Sequence, residues 1–128
     1  MFVKIPVSLG ELVDKITILE IKLEKIKNKQ KNKNINFELK LLCEQLENLN
    51  LDKSEIQNLK ELLLKINLEL WEIEDQIRIL EKKHEFGSKF IKLARLVYKK
   101  NDLRFETKNK INILFSSEVI EEKSYEKY

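Results

Sequence analysis

Residues 56–80 read IQNLKELLLKINLELWEIEDQIRIL. Within them Ile56, Leu59, Leu63, Ile66, Leu70, Ile73, Ile77 and Leu80 recur at alternating steps of three and four, without a miss. That spacing puts all eight on one helical stripe, a heptad seam of the kind that packs along other helices. At ~1.5 Å per residue the seam runs for roughly 40 Å. Alone it would face water, so the remainder of the chain must cover it.

The remainder has the composition to do so. The chain has 128 residues, of which 37% are charged and 42% hydrophobic, which suits one domain with one modest core. Two glycines and one proline are too few for the turn-rich all-β folds. The net charge of +3 comes from interspersed acids and bases, so composition argues against a nucleic-acid surface. A lone Cys43 and a lone His84 provide neither a disulfide framework nor a histidine- or cysteine-rich metal site. No apolar run approaches the ~18 residues of a membrane span, and no signal-peptide pattern opens the chain. The expectation is a cytoplasmic, reduced protein.

Outward from the seam, the pattern predicts an all-α, four-helix bundle built from long antiparallel hairpins. Residues 1–7 read as an extended arm, because Pro6 biases Ile5 away from helix. Ser8 and Glu11 form a capping box, and Val7 with Leu12 a hydrophobic staple, opening helix 1 over 8–28. Its seam is Leu9, Leu12, Ile16, Leu19, Leu23 and Ile26. Val13, Ile18 and Ile21 lie off that seam, so more than one neighbour is expected. Residues 28–34 carry no apolar side chain and read as a solvated connector. Helix 2 is expected over 35–50. Asp52 and Glu55 signal the start of helix 3 at 53–86, and the short link makes helices 2 and 3 antiparallel neighbours. Gly87 suits a left-handed cap and Ser88 the next N-cap. Helix 4 follows over 88–115, and residues 116–128 form a polar tail whose Tyr125 and Tyr128 can dock it on the bundle.

The stripe of helix 4 is Phe90, Leu93, Val97, Asn101, Arg104, Lys108, Ile111 and Phe115. The spacing holds while the middle three members turn polar, which costs free energy unless those groups are paired or wet. Helix 3 has a second face, Leu64, Leu68, Trp71, Asp75 and Arg78, that begins apolar and ends charged. Folding helix 4 back at Gly87 brings the two polar regions together. The candidate ligand- or partner-binding residues are therefore Asp75, Arg78, Arg95, Tyr98, Asn101, Asp102, Arg104 and Lys108. Only three arginines occur in this lysine-rich chain, which points to a need for guanidinium geometry where they stand. The plainest reading of the cluster is a satisfied ion-pair network, with Asp75 paired to Arg78 or Arg95 and Asp102 to a nearby base.

These residues and the rest of the chain resemble a family of small all-helical bacterial and phage proteins, a domain of unknown function. The resemblance rests on Ile5 to Leu23, opening Ile-Pro-Val-Ser-Leu-Gly-Glu-Leu-Val-Asp-Lys-Ile-Thr-Ile-Leu, on Leu70 to Arg78, on Ala94 to Asn112 and on Glu121 to Tyr125. It implies one unit with specific polar residues and supplies no mechanism.

The function the pattern supports is helix-mediated interaction or scaffolding, as a homo-oligomer or with a protein partner. The alternative is a small helical enzyme or a receptor for a small anionic ligand. One form resembles the all-α nucleoside-triphosphate pyrophosphatases, which hold Mg²⁺ with carboxylates three residues apart. Glu11 with Asp14, and Glu69, Glu72 and Asp75, have that spacing. The other resembles the helical chorismate mutases, with Arg78, Arg95, Arg104 and Lys108 holding a dicarboxylate. No catalytic residue is assigned, and no cofactor is expected outside the pyrophosphatase form.

Overall fold

The computed structural model describes residues 1–128. It contains four helices and no strand: α1 Leu9–Lys25, α2 Lys29–Glu47, α3 Lys53–Lys82 and α4 Ser88–Leu114. The all-α architecture is as the seams imply.

Each helix start has a chemical cause. Ser8 Oγ accepts the Glu11 N–H at 3.1 Å to open α1, although Val7 stays exposed. Lys22 and Lys25 occupy the last turn of α1, where cations complement the helix dipole. α2 starts earlier than expected. The stretch read as a connector is its first two turns, and Asn28 Oδ1 caps it by accepting the Lys31 N–H at 2.9 Å. Lysine, glutamine and asparagine need no buried face to stay helical on a solvated surface, and neither glycine nor proline interrupts them. At α3, Asp52 Oδ1 accepts from Ser54 N at 3.0 Å and Glu55 N at 3.2 Å. Those donors hold its carboxyl below the ordinary range.

The end of α3 departs from expectation. The left-handed residue is His84, with φ 55°, while Gly87 has φ −79° and serves as the N-cap of α4. Glu85 N donates to Leu80 O at 2.9 Å and His84 N to Glu81 O at 3.0 Å, the bond pair of a Schellman stop. The same pair closes α4: Ser117 N reaches Asn112 O at 2.8 Å, Ser116 N reaches Ile113 O at 3.3 Å, and Ser116 has φ 54°.

α1 is the central helix. It packs on α2, α3 and α4, whereas α2 makes close backbone contact with α1 alone. Helices 2 and 3, expected as direct neighbours, are linked by a short turn yet kept apart, because both lean on α1. Lys15 pairs with Glu38 on α2 at 3.4 Å, and Glu20 with Lys60 on α3 at 2.7 Å. α3 and α4 form the long antiparallel hairpin, tied midway by Lys100 and Glu69. Every member of the α3 seam is buried or half-buried. The arm is exposed over residues 1–7 and touches the bundle through Phe2, which stacks on Phe37 of α2 with ring centroids 6.2 Å apart.

Two apolar clusters result. One gathers Leu9, Val13, Ile56, Leu63 and Ile111. The other gathers Ile73, Leu80 and Leu93 near the hairpin tip. Between them the apolar packing is interrupted by buried polar side chains, Asn67 on α3 beside Ile66 and Leu70, and Thr107 and Lys108 on α4.

Candidate functional site

Asp14 sits at the centre of that polar layer. It is fully buried on α1. Arg104 of α4 meets it with two parallel bonds, Nε to Oδ1 at 2.9 Å and Nη2 to Oδ2 at 2.6 Å. Asn67 of α3 donates Nδ2 to Asp14 Oδ1 and to Thr17 Oγ1, both at 2.9 Å. The Thr17 hydroxyl is spent on the Asp14 carbonyl at 2.7 Å. Three helices are thereby joined through one carboxylate. The Asp14 bonds hold the Arg104 guanidinium above its usual pKa, against the opposing effect of burial. A planar fork matches a carboxylate in this way and an ammonium does not.

One turn along, Lys108 is 9% exposed and bridges two carboxylates, Glu11 of α1 at 2.9 Å and Glu121 of the tail at 2.7 Å. Burial alone would lower the Lys108 pKa; Glu121 and Glu11 outweigh it, and the ammonium is held above its ordinary value. Next to it α1 and α4 touch backbone to backbone. A Cβ on Gly10 would lie 2.4 Å from the Lys108 carbonyl oxygen. Gly10 N donates to Asn112 Oδ1 at 2.7 Å and Leu9 N to Ser117 Oγ at 3.1 Å. Two first-turn donors of α1 are thus taken up by Asn112 of α4 and by Ser117 just beyond it, and the other two by Ser8. Asn112 Nδ2 is buried without a partner.

The tail lies back over α4. Asp102 receives Lys123 Nζ on one oxygen and the Tyr128 hydroxyl on the other, each at 2.6 Å. Lys123 and then Tyr128 hold the Asp102 carboxyl below its ordinary range, and Tyr128 is in turn pushed up to about 12. Tyr98 meets Tyr128 edge-on, with centroids 5.1 Å apart.

Two hollows flank Arg104. One, of about 1010 Å³, lies between α4 and the tail. The other, of about 390 Å³, lies among α1, α3 and α4. Asn101 and Arg104 line both; Asp75, Arg78 and Trp71 line only the smaller, and Tyr98, Asp102 and Lys108 only the larger. Seven of the eight candidates named from sequence therefore border one hollow or the other. Arg95 does not: it is exposed and makes no ion pair. The expected pairing of Asp75 with Arg78 or Arg95 is replaced by an i,i+4 contact of Arg78 with Glu74, at 3.8 Å. Asp102 finds its base in the tail. Glu69, Glu72 and Asp75 do not converge. Glu69 pairs with Lys100 while Glu72 and Asp75 are exposed, and no three acids, histidines or cysteines group as metal ligands. Glu11 and Asp14, the other Mg²⁺ pair, are each engaged by a cation of α4.

Asn67, Glu121 and Lys123 were absent from the sequence candidates, and Asp14 entered only with Glu11 as a possible Mg²⁺ pair. A signal existed for Asp14, an acid on a helix that is apolar on several sides. Asn67 is equally out of place in a run of leucines and isoleucines. Nothing local marks the tail residues as partners of α4.

The chain belongs to a family of unknown function, DUF6165, whose model matches residues 3–128. No curated protein and no solved structure matches the chain. No helix is long and apolar enough to cross a membrane.

Proposed function

We propose that this protein acts through helix-mediated interaction, with a second copy of itself as the first partner. One observation carries the reading: more large apolar side chains stand exposed than are buried. Most of them fall in three places: the arm with Phe37, the hairpin tip at Ile79, Phe86 and Ile91, and the end of α4 at Ile113 and Leu114 with Val119 and Ile120. Contiguous apolar patches on a small chain mark contact surfaces. The buried polar layer supports the same reading from the other side, since its charges are matched by partners within the chain. Light scattering across a concentration series tests it. A mass above 15.4 kDa that rises with concentration is expected; a single-chain mass throughout refutes self-association.

A second reading has its own observation. The pair with Asp14 engages Nε and Nη2 of Arg104 and leaves Nη1 outside it. The guanidinium borders the smaller hollow beside Trp71, Leu70 and Ile18. Apolar walls with a few convergent polar groups suit a small planar ligand carrying an acceptor oxygen. A thermal-shift screen of dicarboxylates, phosphates and nucleotides tests this. A ligand at 100 times its Kd stabilises the fold by about 2.7 kcal/mol; no shift across the panel sets the reading aside.

A further inference from the structure

Ser117 N to Asn112 O is the last backbone–backbone hydrogen bond of the chain. Residues 118–128 are held by side chains. Glu121 reaches Lys108, and Lys123 and Tyr128 share the Asp102 carboxylate. The Lys123 ammonium also stands 5.5 Å from the Phe105 ring centroid, within cation–π range. α4 thus presents Tyr98, Asp102, Phe105 and Lys108 at helical spacing, and the strap answers with Glu121, Lys123 and Tyr128. The match is one of charge and of rings, and it resides in side chains that any copy of the strap carries. The fit is loose, for the hollow of about 1010 Å³ remains between strap and helix.

The turn at Ser116 adds a second observation. Ile113 and Leu114 before it are 69% and 51% exposed, and Val119 and Ile120 after it are 40% and 48% exposed. A strap that stays on its own α4 leaves all four in water. A strap that crosses to a second copy draws two α4 ends together and covers them.

We propose that two copies exchange straps, residues 118–128 of each docking on α4 of the other; this rests on the self-association reading and names its device. Docking within one chain has the advantage of a high effective concentration. Exchange prevails through the apolar seam at the two crossing points, which the single chain lacks. The geometry is restrictive. Four residue steps from Ser117 to Glu121 reach at most roughly 14 Å. The partner's Lys108 must lie within that reach and a side-chain length, which sets the two-fold axis beside Ile113. The contact is isologous, so both straps dock or neither does.

Charge reversal tests it. Asp102→Lys opposes the strap's Lys123 within its own chain, and Lys123→Asp opposes Asp102. Mixed together, each variant offers the groove that fits the other's strap. Asp102 and Lys123 side chains are 32% and 21% exposed, so both variants keep their helices, which circular dichroism checks. Light scattering and native mass spectrometry are then run on wild type, each variant alone and the 1:1 mixture. The expected result is twice the chain mass for wild type, single mass for each variant, and twice the mass for the mixture, with one chain of each kind. A dimeric wild type with either variant also dimeric alone, or with a mixture that stays at single mass, overturns the exchange while self-association stands. A wild type at single mass overturns both.

Discussion

Replacing Arg104 by alanine removes both charge-assisted bonds to Asp14 and leaves a carboxylate whose side chain is 1% exposed with Asn67 as its one remaining side-chain donor. Breaking a buried pair by deleting one partner costs about 3–5 kcal/mol, because the orphaned charge stays desolvated. The guanidinium is itself 28% exposed and water can enter the space it vacates, so the lower half of that range applies. At this chain length the loss lowers Tm by roughly 10 °C or more. Urea unfolding followed at 222 nm measures it, with Arg78→Ala as control. Arg78 is 80% exposed and 3.8 Å from its acid, and exposed pairs contribute roughly 0–1 kcal/mol. The double variant Asp14→Ala, Arg104→Ala should lose less than the two single losses combined, since it leaves no charge behind. If Arg104→Ala costs no more than Arg78→Ala, or if the two single losses simply add, the layer is not a coupled network and the reasoning fails.

Gly10→Ala places a methyl 2.4 Å from the Lys108 carbonyl oxygen, backbone against backbone; overpacking of this kind costs about 1–3 kcal/mol, and a neutral urea midpoint would refute the close approach. His84→Gly relieves a side chain held at φ 55° and should stabilise by about 1 kcal/mol, read as a raised Tm with unchanged helix content. The strap should release in acid. The Asp102 carboxyl is depressed by Lys123 and Tyr128, so its contribution is present above the unfolded carboxylate range near pH ~4 and is lost as pH falls through the folded value. Tyr128, raised to about 12, keeps its proton throughout that window. Tyr128 ring resonances should therefore shift toward free-peptide positions below pH ~4, and a shift centred near neutrality would show that another group holds the strap.

What could be read from sequence was whatever a single helix decides. The α3 seam was legible because burial of Ile56 through Leu80 follows from spacing alone. The polar break on α4 was legible because Asn101, Arg104 and Lys108 occupy positions a core would fill with leucine. The α2 boundary was not, because a lysine–asparagine run is compatible with solvated helix and with loop, and the Asn28 cap decides between them. Asp14 was not assigned because its partner Arg104 lies 90 residues away. Spacing within α1 says only that an acid interrupts an apolar face, and whether it is solvated or paired depends on which helix covers it. The strap was legible only through Tyr128, whose docking was expected and falls on Asp102 and Tyr98; Glu121 and Lys123 have no period and find their positions only against α4.

The layer's placement explains why a protein with so few buried residues tolerates buried charge at all. Seams built from leucine and isoleucine on α1 and α3 are nearly interchangeable from one heptad to the next, so apolar packing alone permits slippage by a turn or two. A slip of α4 by one turn sets Asp14 against Asn101 or Lys108, neither of which supplies the two-bond guanidinium fork, and a slip by two turns sets it against Val97 or Ile111 and strands Arg104. A polar residue at a core position fixes register in coiled coils by the same penalty. Under the self-association proposal the charges of Asp14, Arg104 and Lys108 serve the fold, and what faces a partner is on the outside: the apolar patches, and a strap whose acid, base and tyrosine match the face of α4.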